Sequence, residues 1–323
     1  MGRGQWQGVG GVQGDPTIPR QPWDALAYSA AASPAAKRLR VGVWGAGEEF
    51  DGFFHLAPAC RRAVAEAAAA LEAAGHEVVT WSPRSDAGMD TARAAVLVYA
   101  MLGADGALFS FKSGLEGEAL HANYSTLHSL ASIPTFLLGT LASVLRHLLG
   151  WTRAADLLTN ARARSAREYW QLCQEREILK RDFIADIQTR GFDCVLCPAL
   201  GTPAFLHGQS RDLTLPCSPC FVWNLLGFPA VVLPCTRQRQ GEDEYQAPPG
   251  QRGDVFFREA VRAVAGAEGM PVGVQLAGLP FTDETLLGAA TALERALKEI
   301  RGGAAEEGVP EGVLTRTLSH ITP

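Results

Sequence analysis

The stretch Gly269-Met270-Pro271-Val272-Gly273-Val274-Gln275-Leu276-Ala277-Gly278-Leu279-Pro280-Phe281, followed by Asp283-Glu284-Thr285-Leu286-Leu287, decides the fold. Pro271 to Leu276 is an apolar run of strand length, and the breakers Gly278 and Pro280 separate it from a helix expected from about Asp283 to Arg301. Its apolar character is continuous rather than alternating, as in a strand covered on both faces. Working outward, Ala230-Val231-Val232-Leu233 and Cys194-Val195-Leu196-Cys197 read the same way. Near the other end, Leu39–Trp44 reads as a strand, Ala57 to Ala74 as an Ala-rich helix and Glu77–Trp81 as a second strand after the breaker Gly75. Strand, helix, strand in that order predicts an α/β fold.

The chain has 323 residues and is 47% hydrophobic, enough to bury a large core. Residues 1–36 and 301–323 are rich in small and polar residues, and both are expected to be flexible segments flanking a folded region over 37–300. The net charge of −5 and pI near 5.8 supply no basic face for phosphate contacts, so nucleic acid is excluded as a partner. The opening residues show no apolar run of signal-peptide length, so a cytoplasmic address is expected.

Residues 90–190 read as helical, in two parts. Leu130 to Leu145 is uncharged, with an internal Pro134, and at sixteen residues falls short of the roughly 20 that span a bilayer. It reads as a buried helix or a patch lying on a membrane surface. The stretch to Gly191 is long and charged, with Tyr169, Leu172, Leu179, Phe183 and Ile187 at helical spacing, and reads as a surface helix packed along one stripe.

Several chemical motifs fail on inspection. Trp44-Gly45-Ala46-Gly47 follows a strand, but Phe50 stands where a dinucleotide-binding turn needs its third glycine. Cys194-x2-Cys197 and Cys217-x2-Cys220 have the spacing of a four-cysteine zinc site. Residues three apart on a strand point to opposite faces, however, so buried structural thiols are expected and zinc binding is a rival reading. No Gly-x-Ser-x-Gly elbow occurs, the seven histidines stand singly, and Glu48-Glu49 and Glu306-Glu307 read as solvated charges. No cofactor and no metal ion is expected.

The Gly269–Leu287 stretch resembles the closing strand, turn and helix of the amidase signature family. Phe192-Asp193-Cys194-Val195-Leu196-Cys197-Pro198 and Asn224-Leu225-Leu226-Gly227-Phe228-Pro229-Ala230 are similar to its two preceding core strands and the turn before the second. In these, Gly227 and Gly273 are expected to serve close backbone packing and Pro198 and Pro229 to fix turns. Phe111-Lys112-Ser113-Gly114, Arg164-Ser165-Ala166 with Trp170, and Gly253-Asp254-Val255 resemble the fatty-acid amide hydrolase branch. The likeness implies the C-terminal part of the amidase signature fold, a mixed sheet covered by helices on both faces. It also implies an acyl channel at Leu157, Ala161, Phe221 and Phe256, for which core packing is an equal account of the two phenylalanines. Residues 130–151 would then form a membrane cap, through Ile133, Phe136, Leu137, Leu138, Leu141, Leu145 and Trp151, attaching the protein peripherally or monotopically to an intracellular membrane.

The expected partners are a lipid amide substrate and a membrane surface, with a homodimer left open. The family hydrolyses carboxamides with a serine nucleophile, a bridging serine and a lysine base. Lys37, Lys112, Lys180 and Lys298 all fall in segments matched to non-catalytic positions, and Gly8–Gly14 contains no serine, so no catalytic residue is assigned. The leading expectation is a C-terminal portion from a shortened gene model or transcript, inactive as it stands. A non-catalytic lipid-binding or membrane-associated module is the alternative.

Overall fold

The computed structural model of the protein describes residues 22–46, 54–106, 109–125, 128–129, 132–160, 162–245 and 255–303. Five strands form one mixed sheet: β1 (Arg40–Val43), β2 (Glu77–Thr80), β3 (Cys194–Pro198), β4 (Ala230–Arg237) and β5 (Pro271–Ala277), in the order β2-β1-β3-β5-β4. β2, β1 and β3 run parallel, whereas β5 is antiparallel to both β3 and β4. The helices are α1 (Ala25–Ala31), α2 (Pro58–Ala73), α3 (Pro83–Ala87), α4 (Thr91–Leu102), α5 (Phe109–Ser113), α6 (Thr135–His147), α7 (Thr152–Asn160), α8 (Ala166–Arg190), α9 (Ser218–Leu226), α10 (Val255–Ala265) and α11 (Asp283–Gly303).

Alternation along the strands sends two sets of side chains to two helical layers. On one face Leu233 and Cys235 are buried, the Cys235 thiol donates to the Ala63 carbonyl of α2 at 3.3 Å, and α11 lies beside α2 over β4 and β5. On the other face Trp44 and Trp81, which follow β1 and β2, join Phe183 of α8 and Trp223 of α9 in edge-to-face contacts about 6 Å between ring centres (6.0–6.4 Å). Such pairs add roughly 0.5–1.5 kcal/mol beyond their burial. Gly42 belongs to this face for a steric reason: a Cβ there would lie 2.7 Å from the Phe192 ring.

The long helix α8 starts on a capping box, with Ser165 and Glu168 exchanging side-chain and backbone hydrogen bonds, and stops at Gly191 in the left-handed conformation (φ 66°). Its inner stripe is Leu172, Phe183 and Ile187; Leu179 is half-buried and Tyr169 is exposed.

Two expectations need correction. Residues 25–31, read as part of a loose segment, form a helix docked on α11. Tyr28 bonds Thr291 through their hydroxyls (3.2 Å), Arg295 donates to the Ala32 carbonyl (3.1 Å), and the Asp24 amide donates to Glu284 (3.1 Å). Gly288 permits the approach, since a Cβ there would sit 2.5 Å from the Tyr28 carbonyl oxygen. Gly227 does not serve close packing. It ends α9 with φ 67°, and the nearest atom to a Cβ there would be the Lys180 amine at 3.8 Å, so its role is conformational. Gly273 does lie close: a Cβ would meet the Leu233 carbonyl oxygen at 3.2 Å and Val232 Cγ1 at 3.3 Å.

Candidate functional site

Within the expected cap, Thr135–His147 forms the first arm of a helical hairpin, α6 and α7, joined through Gly150 in the left-handed conformation (φ 70°); residues 130 and 131 lie outside the described residues. The Arg146–Asp156 ion pair (2.5 Å) ties the two arms together. Leu138 and Ala142, four residues apart on α6, are buried inward. Phe136 (81% exposed), Leu137, Leu141, Val144, Leu148 (78%) and Leu149 face solvent. Ile133, Leu145 and Trp151 are half-buried, so the residues named for the cap divide between an outward apolar face and an inward anchor. Among the described residues no helix is long and apolar enough to cross a membrane.

Inside, the hairpin rests through α7 on α4, and α4 in turn packs on α9. Leu157 is buried in the main core beside Ala155 and Leu158. Phe221 is half-buried and meets the Tyr99 ring edge-on, 5.7 Å between centres. Burial raises the Tyr99 phenol well above its ordinary range, which keeps it neutral. Phe256 is half-buried at the start of α10, whose next turn carries Arg258 over the Trp151 ring at 5.6 Å. That cation–π contact brings the hairpin turn and α10 together. Ala161 lies outside the described residues. The structure therefore joins Phe221 to α4 and packs Phe256 against the core, while Leu157 belongs to the packed interior.

Burial holds Cys60, Cys194, Cys197, Cys217 and Cys220 in the thiol form. Cys194 and Cys197 lie on opposite faces of β3, and burial pushes both thiols up to about 12. The Cys197 sulfur accepts from Trp223 Nε1 (3.3 Å) and Gln275 Nε2 (3.4 Å). Cys220 donates to the Ala199 carbonyl (2.9 Å); burial first, then the neighbouring Cys217, pushes it up to about 11. Thiols this far above neutrality are poor nucleophiles and poor ligands. Among the described residues no group of three or more His, Cys, Asp or Glu side chains is gathered as a metal site.

Three of the four lysines have structural surroundings. Lys37 pairs with Asp193 at 2.6 Å, Lys298 pairs with Glu294 at 3.1 Å, and Lys180 lies by the α9 terminus. Among the described residues none of these contacts sets an amine against a serine hydroxyl. Sequence reasoning missed two other groups: the hydroxyls of Thr202 and Ser218 are buried without a hydrogen-bond partner. They sit on segments joined by the Gly201 amide donating to the Pro216 carbonyl (2.7 Å), a contact across a loop that no periodicity announces.

The amidase family model matches residues 10–287. The chain belongs to the amidase family. It is 33% identical over 280 residues to pig fatty-acid amide hydrolase 1, covering 84% of this chain and 44% of the pig protein. It is 28% identical over 274 residues to Caenorhabditis elegans fatty acid amide hydrolase 1, covering 84% and 45%. The chain thus spans under half the length of these curated relatives. Among solved structures, a fatty acid amide hydrolase superposes with a TM-score of 0.59 at 20% identity over 88% of this chain and 43% of that one. The mixed α/β amidase fold is therefore shared.

Proposed function

We propose that these residues form the substrate-facing part of an amidase that hydrolyses fatty-acid amides, with the bond-breaking serine and lysine supplied by residues outside the 323 present here. The observation that carries this reading is the α6–α7 hairpin: an outward apolar face on a chain 33% identical to pig fatty-acid amide hydrolase 1. A lipid amide has a long apolar chain that partitions into membranes. A hairpin resting on a lipid surface through Phe136, Leu137, Leu141, Val144 and Leu148 would receive it there, on the cytoplasmic side. Phe221, Tyr99 and Phe256 supply apolar walls between that hairpin and the sheet.

Amide cleavage needs an activated hydroxyl and a stabilised oxyanion. The protonated thiols and ion-paired lysines described above supply neither, so the 323-residue chain is inactive alone on this reading. The test is release of amine from a long-chain fatty-acid amide by the purified 323-residue chain, beside the same chain extended upstream from its genomic locus. Activity confined to the extended chain supports the proposal. Activity in the short chain, or in neither, overturns it.

A further inference from the structure

Two cysteine pairs share one spacing in the sequence, and the fold gives them opposite fates. Cys194 and Cys197 stand on β3, where three residues span roughly 10 Å and carry the second thiol to the other face of the sheet. No bond can join them there. Cys217 and Cys220 stand on one helical turn. Cys217 caps α9 with helical backbone angles (φ −76°, ψ −4°), and Ser218, Pro219 and Cys220 open the helix. Over three residues a helix rises only roughly 4.5 Å and nearly completes a turn, which leaves the two Cα atoms roughly 5 Å apart. Disulfides join Cα atoms roughly 4.4–6.8 Å apart.

The second pair is also the one that a reagent can reach. Cys217 and Cys220 are half-buried, whereas Cys60, Cys194, Cys197 and Cys235 are buried. Cys173, half-buried on α8, has no other cysteine within a turn of it. Cys217 lies close enough to Cys220 to add to burial in raising that thiol. Pro219 helps to hold the turn ready, because its fixed φ suits the start of a helix. The Cys220 thiol donates to the Ala199 carbonyl at 2.9 Å, but the same loop keeps a second tie, the Gly201 amide to the Pro216 carbonyl at 2.7 Å. Losing the thiol hydrogen therefore leaves the loop attached.

We infer that Cys217 and Cys220 form an oxidative modification site, a dithiol that a small disulfide of the glutathione class converts to an intramolecular disulfide. One thiolate of the pair attacks a sulfur of the small disulfide, forms a mixed disulfide and releases one glutathione with the electron pair. The second thiol gives up its proton and attacks the mixed disulfide, closing the Cys217–Cys220 bond and releasing the second glutathione. Two protein thiols are oxidised, one small disulfide is reduced, and the two protons end on the released glutathione.

Burial raises both thiols, so the attack draws on a scarce thiolate and is slow. The same burial favours the product. The reduced pair gains nothing by ionising, in contrast to the low-pKa pairs whose disulfides are strong oxidants. The site adjoins Tyr99, whose phenol Cys217 helps to raise, and immediately precedes Phe221. Under the proposed function, oxidation would thus act on an apolar wall of the lipid site; the pairing itself rests on the fold alone and stands without that function.

The test is anaerobic incubation of the purified folded chain with oxidised glutathione, followed by acid quenching, alkylation of free thiols and peptide mass mapping. The expected product has lost two hydrogens, joins Cys217 to Cys220, and carries the alkyl label on its other cysteines. Cys220→Ser, which keeps a hydroxyl donor for the Ala199 carbonyl, should stop at one glutathione on Cys217. At fixed total glutathione, the folded pair should be half-oxidised at an at least tenfold lower ratio of oxidised to reduced glutathione than the pair in urea-unfolded chain. A folded chain that stays reduced, a disulfide that includes Cys173 or Cys197, or a pair oxidised no more readily when folded than when unfolded overturns the inference.

Discussion

The two faces of β4 carry similar apolar residues and meet different surroundings. Leu233 and Cys235 are sealed under α2 and α11, whereas Ala230, Val232 and Pro234 lie open on the other side. β3 shows what complete covering looks like: every residue from Cys194 to Pro198 is buried. The apolar pattern of a strand reports what it requires, and the present helices meet that requirement for β3 on both faces and for β4 on one.

The largest way to break this contrast is Trp223→Ala. Trp223 touches Trp44, Phe183 and Phe228 and covers Cys197, so its loss should cost about 3–5 kcal/mol and extend the uncovered strip inward from β4. Urea unfolding measures the cost. The strand itself supplies a sharper pair: Leu233→Ala should cost about 2–5 kcal/mol, while Val232→Ala in the 323-residue chain should stay within about 0.5 kcal/mol. Equal costs would mean that the two faces are not differently covered.

Acid should act near the opposite edge. His76 precedes β2, its Nδ1 accepts from the Leu39 amide (3.2 Å), and burial lowers its pKa from the ordinary 6.5 despite the opposing charge of Asp193. A histidine depressed in the folded state binds fewer protons than the unfolded chain does. Its contribution to stability is therefore present above pH 6.5 and is lost as the pH falls from there through the folded value. Unfolding followed against pH should show this loss, and His76→Gln should flatten it. A small effect belongs to the β2 edge itself. Glu77→Gln removes a half-exposed ion pair with Arg40 and should cost about 0.2–1 kcal/mol by thermal unfolding, shrinking with added salt.

Much of the fold was legible because strands buried by neighbours on both sides are almost wholly apolar, as Cys194–Cys197 is and as Pro271–Leu276 is apart from Gln275. The same pattern in Ala230–Leu233 suggested two-sided cover, and the open flank of β4 is where sequence and structure diverge. The first arm of the hairpin was legible from its uncharged run, read as a buried helix or a surface patch; Leu138 and Ala142 are buried, while Phe136 and Leu148 add exposed apolar surface. Helix α1 was not legible: its alanines and Asp24 cap favour a helix, but seven residues are too few to hold one without packing, and their partners lie more than 250 residues away in α11. Nor were Thr202 and Ser218, which acquire their setting only when the segment after β3 folds against the start of α9.

The proposed function gives these 323 residues the setting for an amide and places the activated serine outside them. The most direct measurement is treatment of the folded chain with a fluorophosphonate, which phosphonylates activated serines with loss of fluoride, followed by peptide mass mapping. The account expects no serine adduct, including at Ser218, whose hydroxyl is buried without a partner. A stoichiometric adduct at any serine, absent when the chain is denatured before treatment, would contradict it.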